Sequence, residues 1–177
     1  KIVMTSYALE EADTPVEVFE ACRAFCSEMC DDPDCRDTVI YGGNNWYYAY
    51  GKSSAKEILE DSAYLAEMTE GIENRPFMVM DDGWQIDHSD SYNGGPWRVG
   101  NADYGDMGEL AAQMRAKNVR PGIWFRPLYD HSADIPADWR LERNAEVFDI
   151  SVPEVLEHIA QDIRQLGDWG YELIKHD

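Results

Sequence analysis

Short apolar runs alternate with helical patterns along this chain, and that alternation narrows the fold more than any other feature. Thr38 to Tyr41, Phe77 to Met80, Pro121 to Phe125 and Tyr171 to Ile174 are the runs, and polar or glycine-containing sequence follows each one. Runs that are apolar throughout suit strands covered on both faces, as in a parallel sheet. The segments between them carry a different period. From Ser54 to about Glu70, residues Ile58, Ser62, Leu65 and Thr69 fall on one helical line with Leu59 and Ala66 beside it. Met107, Leu110, Ala111 and Met114 mark a second helix, and Val155, Ile159, Ile163 and Leu166 form the buried stripe of a third that Gly170 ends. Ser151-Val152-Pro153-Glu154 reads as a capping box at the start of that third helix, with Ser and Glu satisfying each other's free N–H groups. An earlier helix, near Pro15 to Met29, has Asp13 or Thr14 as its cap and stops at Asp31-Asp32-Pro33.

The order is therefore helix, three strand-loop-helix units and a last strand, which predicts parallel pairing with right-handed crossovers. A doubly wound open sheet fits that order as well, but it favours a phosphate-binding loop after the first strand. Gly42-Gly43-Asn44-Asn45 is a poor phosphate cradle, lacking a Lys-Ser/Thr pair and a third glycine. The expected fold is an α/β (β/α)8 TIM-barrel, of which this chain supplies about the first four βα units, since a whole barrel takes about 250 residues. Residues 1–37 are expected to be a connector and N-terminal helix, and 38–177 the first half of the barrel, truncated after its fourth strand. Two of the strands run into carboxylates, at Asp81-Asp82 and at Asp177. Strand C-terminal ends are where such barrels carry their active sites.

Composition excludes several classes of partner. Fifteen Lys and Arg against 35 Asp and Glu give a net charge of −20, which repels nucleic acid and anionic membrane surfaces. No apolar stretch approaches the roughly 20 residues that span a bilayer. Lys1 is not an initiator, so a removed targeting segment and the compartment (cytoplasmic, periplasmic or secreted) stay open. The four cysteines, Cys22, Cys26, Cys30 and Cys35, crowd into one stretch without the second distant pair of a structural zinc site. Phe19, Cys22, Cys26 and Met29 share a helical stripe, so a core role is expected, with a local disulfide such as Cys30 to Cys35 as the alternative.

Asp81 and Asp82 leave a strand in succession, so one can face the interior and the other the loops. Two carboxylates around a cavity can accept several hydroxyl hydrogen bonds, Gly83 lets the chain bend, and Trp84 can then pack or stack nearby; the competing reading is a solvated turn. Lys175 and Asp177 are two residues apart on a strand and face the same side. A lysine beside a carboxylate keeps it ionised, as a nucleophile requires, although a structural ion pair would look the same. Trp46 and Trp124 are candidate aromatic walls, or core. His176 points away from Asp177 and is expected to pack against the outer helices.

Trp46, Asp81-Asp82-Gly83-Trp84-Gln85, Pro121-Gly122-Ile123-Trp124-Phe125 and Lys175-His176-Asp177 together resemble the α-galactosidases (melibiases) of glycoside hydrolase family 36 and their clan relatives, over roughly residues 38 to 177. The resemblance implies a retaining glycosidase that acts on terminal α-galactosides or a closely related sugar and uses no metal or organic cofactor. Asp177 would be the catalytic nucleophile and Lys175 a contact to sugar hydroxyls, while Asp81 and Asp82 would hold the 4- and 6-hydroxyls. Trp46, Trp84 and Trp124 would line the sugar subsite, and Arg143 would face substrate. Where the family pattern reads Glu-Pro-Glu after the third strand, this chain has Arg126-Pro127-Leu128, so Arg126 joins the candidate substrate contacts and the sugar need not be plain galactose. The family's acid/base aspartate lies on a later strand, so these residues alone are expected to be inactive. The implied partners are an oligosaccharide or glycoside and the remaining half of the barrel, and a homo-oligomer is compatible with them. A carbohydrate-binding barrel without catalysis, or a galactosyl transferase of the raffinose-synthase type, would keep the same residues.

Overall fold

The computed structural model describes residues 14–28 and 38–177. Helix α1, Pro15–Glu28, belongs to one unit, and Ile40–Asp177 forms a second compact unit. Thr14 caps α1, accepting the Glu17 N–H at 3.2 Å and donating its hydroxyl to Glu17 Oε2 at 2.8 Å. The core stripe expected on this helix is not buried: Phe19 is 59% exposed, and Cys22 and Cys26 are exposed free thiols. Periodicity says which side chains share a face, not that the face is covered. Asp13, Met29, the Asp31-Asp32-Pro33 stop, Cys30 and Cys35 lie outside the described residues.

The larger unit is an α/β fold on a four-stranded, all-parallel sheet. Its strands are β1 (Gly42–Asn44), β2 (Phe77–Met80), β3 (Arg120–Phe125) and β6 (Leu173–His176), in the spatial order β1-β2-β3-β6. Each strand lies beside its predecessor in the sheet. A doubly wound sheet would instead reverse direction about its first strand. The crossovers carry α2 (Trp46–Ala49) and α3 (Ala55–Met68) before β2, α4 (Met107–Ala116) before β3, and α5 (Pro153–Asp168) before β6. Between β3 and α5 the chain makes an antiparallel hairpin of β4 (Arg140–Leu141) and β5 (Asn144–Phe148), where the sequence suggested only a long loop.

Strand positions shifted at both edges. The first strand is Gly42–Asn44 rather than Thr38 to Tyr41, because the glycines are what the packing admits: a Cβ on Gly42, whose φ is +155°, would sit 1.7 Å from the Phe77 carbonyl oxygen. The last strand runs on to His176, while Tyr171 is buried beneath it with its hydroxyl donated to the Met107 carbonyl at 3.2 Å. His176 is exposed rather than packed against a helix.

Helix α3 follows its sequence pattern. Ser54 caps it, and Ile58 and Ser62 are buried, with Leu59, Leu65 and Ala66 packed on the core. Helix α5 departs from the pattern. Its N-cap is Val152 with Pro153 at the first turn, and Ser151 instead donates its N–H to Asp149 Oδ1 at 2.9 Å, so the expected capping box does not form. Its buried residues are Val155, His158, Asp162 and Leu166, while Ile163 is 42% exposed.

Burial raises the Asp162 carboxyl from 3.8 to about 6, against the opposing pull of nearby His158. Between those values the folded protein keeps a proton that the unfolded chain has released, so this group makes stability fall as pH rises from about 4 to about 6. The Asp162→Asn variant is expected to lack that decline and to gain up to about 3 kcal/mol on the parent between pH 4 and pH 7. Urea unfolding of both proteins at the two pH values measures it; a parent that gains on the variant instead would show that the ionised pair with His158, whose Nε2 lies 3.5 Å away, is net favourable.

Candidate functional site

Sheet register fixes which side chains meet. Asn44, Val79, Gly122 and Leu173 are aligned neighbours across the four strands. Because strand side chains alternate, Asp81, Trp124, Lys175 and Asp177 fall on the same face as Asn44, at the C-terminal ends of their strands. Met80, Ile123 and Ile174 take the opposite face and enter the core with Met114 and Leu166.

Asp81 is the hub of this face. It is buried at 3% exposure; its Oδ2 accepts from Lys175 Nζ at 2.5 Å and from Asn44 Nδ2 at 2.6 Å, and its Oδ1 accepts the Asp82 N–H at 2.9 Å. Lys175 was expected to serve Asp177 along its own strand, but it reaches across β3 to Asp81 instead. It spans the intervening strand at the level of Trp124, the residue paired with Lys175 in the sheet. The Asp81 N–H is in turn donated to Asn45 Oδ1 at 2.7 Å. Asn44 and Asn45, which looked like a weak loop motif, therefore hold the first carboxylate in place.

Asp82 faces the other way. Its Oδ1 accepts from Gln85 Nε2 at 2.7 Å and lies 3.3 Å from His88 Nδ1, without hydrogen-bond alignment. Its Oδ2 has no hydrogen-bond partner among the described residues, and Asp82 lines a cavity of about 310 Å³ with Trp46, Tyr50, His88, Tyr92 and Asn93. Trp46 and Tyr50 meet edge to face at 5.7 Å on its wall. Burial pushes the Tyr92 phenol well above its usual value, so it stays a neutral hydroxyl, donating to the Gly95 carbonyl at 2.9 Å and accepting the His131 N–H at 2.8 Å.

Gly83 makes the bend between the acids and the next tryptophan. Its φ is +113°, and a Cβ there would lie 2.4 Å from the Gly51 carbonyl oxygen, a backbone atom that cannot rotate away. Gly83→Ala is expected to cost roughly 3 kcal/mol, read as a lower urea midpoint. An unchanged midpoint would mean that the Gly51 segment yields freely.

The tryptophans divide between cavity and core. Trp46 is half-buried at the cavity, but Trp84 is wholly buried, packed on Trp97 at 5.7 Å and Trp169 at 6.1 Å, with its indole N–H donated to the Trp124 carbonyl at 2.9 Å. Trp84 is thus a core residue that ties β2 to β3, whereas the sequence placed it among the candidate substrate contacts. Trp124 lies on the acidic face and is buried under Trp97, a residue of the long loop after β2.

Asp177 ends the last strand with its N–H donated to the Phe125 carbonyl at 3.2 Å, and its side chain is exposed. With Arg126, Leu128, Tyr129 and Val147 it lines a second cavity of about 300 Å³. Arg126 Nη1 donates to Asn93 Oδ1 at 2.5 Å, and its guanidinium lies 4.2 Å above the Tyr129 ring. Arg143 is exposed in the β4–β5 turn and lines neither cavity. His88 and Asn93 had no motif to announce them, because the loop that carries them has no period. Among the described residues no group of three or more His, Cys, Asp or Glu side chains could hold a metal ion, and no helix is long and apolar enough to cross a membrane.

No protein-family model matches the sequence. Two curated proteins, both described as probable alpha-galactosidase C, from Aspergillus flavus and Aspergillus oryzae, are 29% identical to it over 154 aligned positions covering 70% of this chain and 19% of theirs. The chain thus spans about a fifth of the length of these relatives. Among solved structures, the galactosidase domain of the alpha-galactosidase-sucrose kinase AgaSK superposes with a TM-score of 0.69 at 23% identity, over 84% of this chain and 22% of that one. TtGalA from Thermus thermophilus, in complex with p-nitrophenyl alpha-D-galactopyranoside, gives 0.61 at 23% identity over 91% of this chain and 34% of its own. The family 36 alpha-galactosidase AgaA from Geobacillus stearothermophilus gives 0.60 at 23% identity over 80% and 21%. The resemblance to family 36 α-galactosidases carried by the four motifs is borne out, and the structural neighbours share the fold.

Proposed function

We propose that residues 38–177 form the first half of a (β/α)8 barrel in a retaining glycoside hydrolase that acts on terminal α-galactosides, with Asp177 as nucleophile. The observation that carries this reading is a single sheet face on which Asp81, Lys175 and Asp177 converge at the C-terminal ends of parallel strands, beside a cavity walled by Trp46 and Asp82. Carboxylates with free acceptor capacity next to an aromatic wall suit a polyhydroxylated ring, which offers O–H donors on its edges and C–H bonds on a face. Sequential parallel strand order supports the barrel, as do the superposed α-galactosidases.

In this reading Asp82 and Asp81 receive sugar hydroxyls, and Lys175 both donates to one and anchors the Asp81 carboxylate at 2.5 Å. An Asp177 carboxylate oxygen attacks the anomeric carbon as the glycosidic C–O bond breaks. A general acid from a later strand of the barrel protonates the leaving oxygen. The same group then takes a proton from water, which attacks the glycosyl-enzyme and releases Asp177. Following p-nitrophenyl α-galactoside cleavage by the complete protein with proton NMR tests the reading: α-galactose is expected as the first anomer. The β-anomer first would mean inversion, and saturable binding without cleavage would favour a carbohydrate-binding barrel.

A further inference from the structure

The cavity at Asp177 contains one feature that a neutral sugar does not need. Arg126 lines it, half-buried, and makes no ion pair among the described residues, in a chain where acids outnumber bases 35 to 15. Its recorded partners are neutral: the Asn93 amide oxygen, which takes one Nη1 hydrogen, and the Tyr129 ring beneath the guanidinium plane. Tyr129 is itself anchored, donating its hydroxyl to Glu146, so the nearby Glu146 carboxylate is engaged by a phenol and not by the arginine. Both contacts orient the guanidinium and leave most of its five donors unspent. The remaining wall is apolar, from Leu128 and Val147, which strengthens a charge-assisted hydrogen bond formed inside.

We propose that Arg126 is a specificity residue for an oxyanion, carboxylate or sulfate ester, carried by the glycoside whose anomeric carbon Asp177 attacks. The inference rests on the glycosidase reading above. A planar fork held over an aromatic ring is suited to bidentate capture of such a group. Asp177, on the same cavity, fixes where that group must sit: within one sugar's reach of the reacting centre. The charge has two sources, the galactosyl ring or the leaving group, and different substrates separate them.

The test uses the complete protein and three substrates: p-nitrophenyl α-galactoside, the matching galacturonoside with its carboxylate on the ring, and a carboxyphenyl α-galactoside with its carboxylate on the leaving group. One of the anionic substrates is expected to exceed its neutral counterpart in kcat/KM by roughly 10- to 100-fold, the range of a charge-assisted hydrogen bond. Arg126→Gln, which keeps a donor for Asn93 but loses the charge, is expected to abolish that preference, so that the anionic substrate and its neutral counterpart are cleaved with kcat/KM values within about threefold of each other. If the neutral galactoside is cleaved with no anionic preference, or if the preference survives in Arg126→Gln, the inference is overturned and the glycosidase reading stands. If none of the three is cleaved or bound, the glycosidase reading falls and takes the inference with it. Should the variant fold poorly, Arg126→Lys replaces it, expected to retain part of the preference because the charge remains and the fork is lost.

Discussion

Asp177→Asn in the complete protein is expected to lower kcat/KM for an α-galactoside by roughly 10⁴-fold or more while leaving substrate binding and the urea midpoint nearly unchanged. Its contact in the sheet is made by the backbone, through the N–H donated to the Phe125 carbonyl, and asparagine keeps both that N–H and the side-chain shape. Removing the charge therefore disturbs little of the fold. An amide cannot form the ester intermediate, so a role as nucleophile and a role as a mere surface acid predict losses that differ by orders of magnitude. Steady-state kinetics with a binding measurement on the same variant separates them. A loss below tenfold would remove Asp177 from the chemistry.

The second large effect is expected at Asp81, where stability and activity fall together. In Asp81→Ala, Lys175 Nζ, Asn44 Nδ2 and the Asp82 N–H all lose an acceptor. Lys175 is 44% exposed on its side chain, so water recovers much of its loss, and the Asn44 amide keeps the Val79 carbonyl at 3.4 Å as a weaker acceptor; the buried Asp82 N–H does not recover its loss. Together they are expected to cost about 2 kcal/mol of stability. Activity should fall further, by roughly 10²- to 10³-fold in kcat/KM, because a hydroxyl contact is lost and Lys175 is freed to turn toward Asp177. Asp81→Asn keeps an acceptor oxygen and is expected to recover most of the stability but little of the activity. An Asp81→Ala enzyme with unchanged kcat/KM would show that the network is structural only.

Much of this architecture was legible in the sequence because strand and helix signals reinforced one another. Phe77–Met80 and residues 121–125 are runs without a charged residue, and they became the body of the two central strands. The edges were harder. Gly42 and Gly43 have poor strand propensity, and the contact with Phe77 that demands a glycine is a tertiary one that no local pattern contains. On α5, apolar periodicity pointed to Ile163, but the buried position is Asp162, which His158 accompanies one turn away. An acid inside a buried stripe is invisible to a count of apolar residues.

The site was partly legible for a similar reason. Carboxylates at strand ends identified Asp81, Asp82 and Asp177 as candidates, and period two placed Lys175 on the face of Asp177. Its partner could not be read from spacing, because Lys175 and Asp81 meet only once β3 has been inserted between their strands. Trp84 misled because a tryptophan after an acidic turn serves a core equally well; burial between Trp97 and Trp169 decides for the core. His88, Asn93 and Tyr92 come from the aperiodic loop, where only the folded chain shows which side chains return to the acids.

The central claim is that Asp177 forms a covalent bond to the sugar. Incubating the complete protein with a 2-deoxy-2-fluoro-α-galactosyl fluoride, which slows breakdown of a glycosyl-enzyme, followed by peptide mass spectrometry, tests that claim directly. A single fluorogalactosyl adduct on the peptide that contains Asp177, absent in Asp177→Asn, is the predicted result. An adduct on a different carboxylate, or turnover of the reagent with no adduct at all, would contradict it.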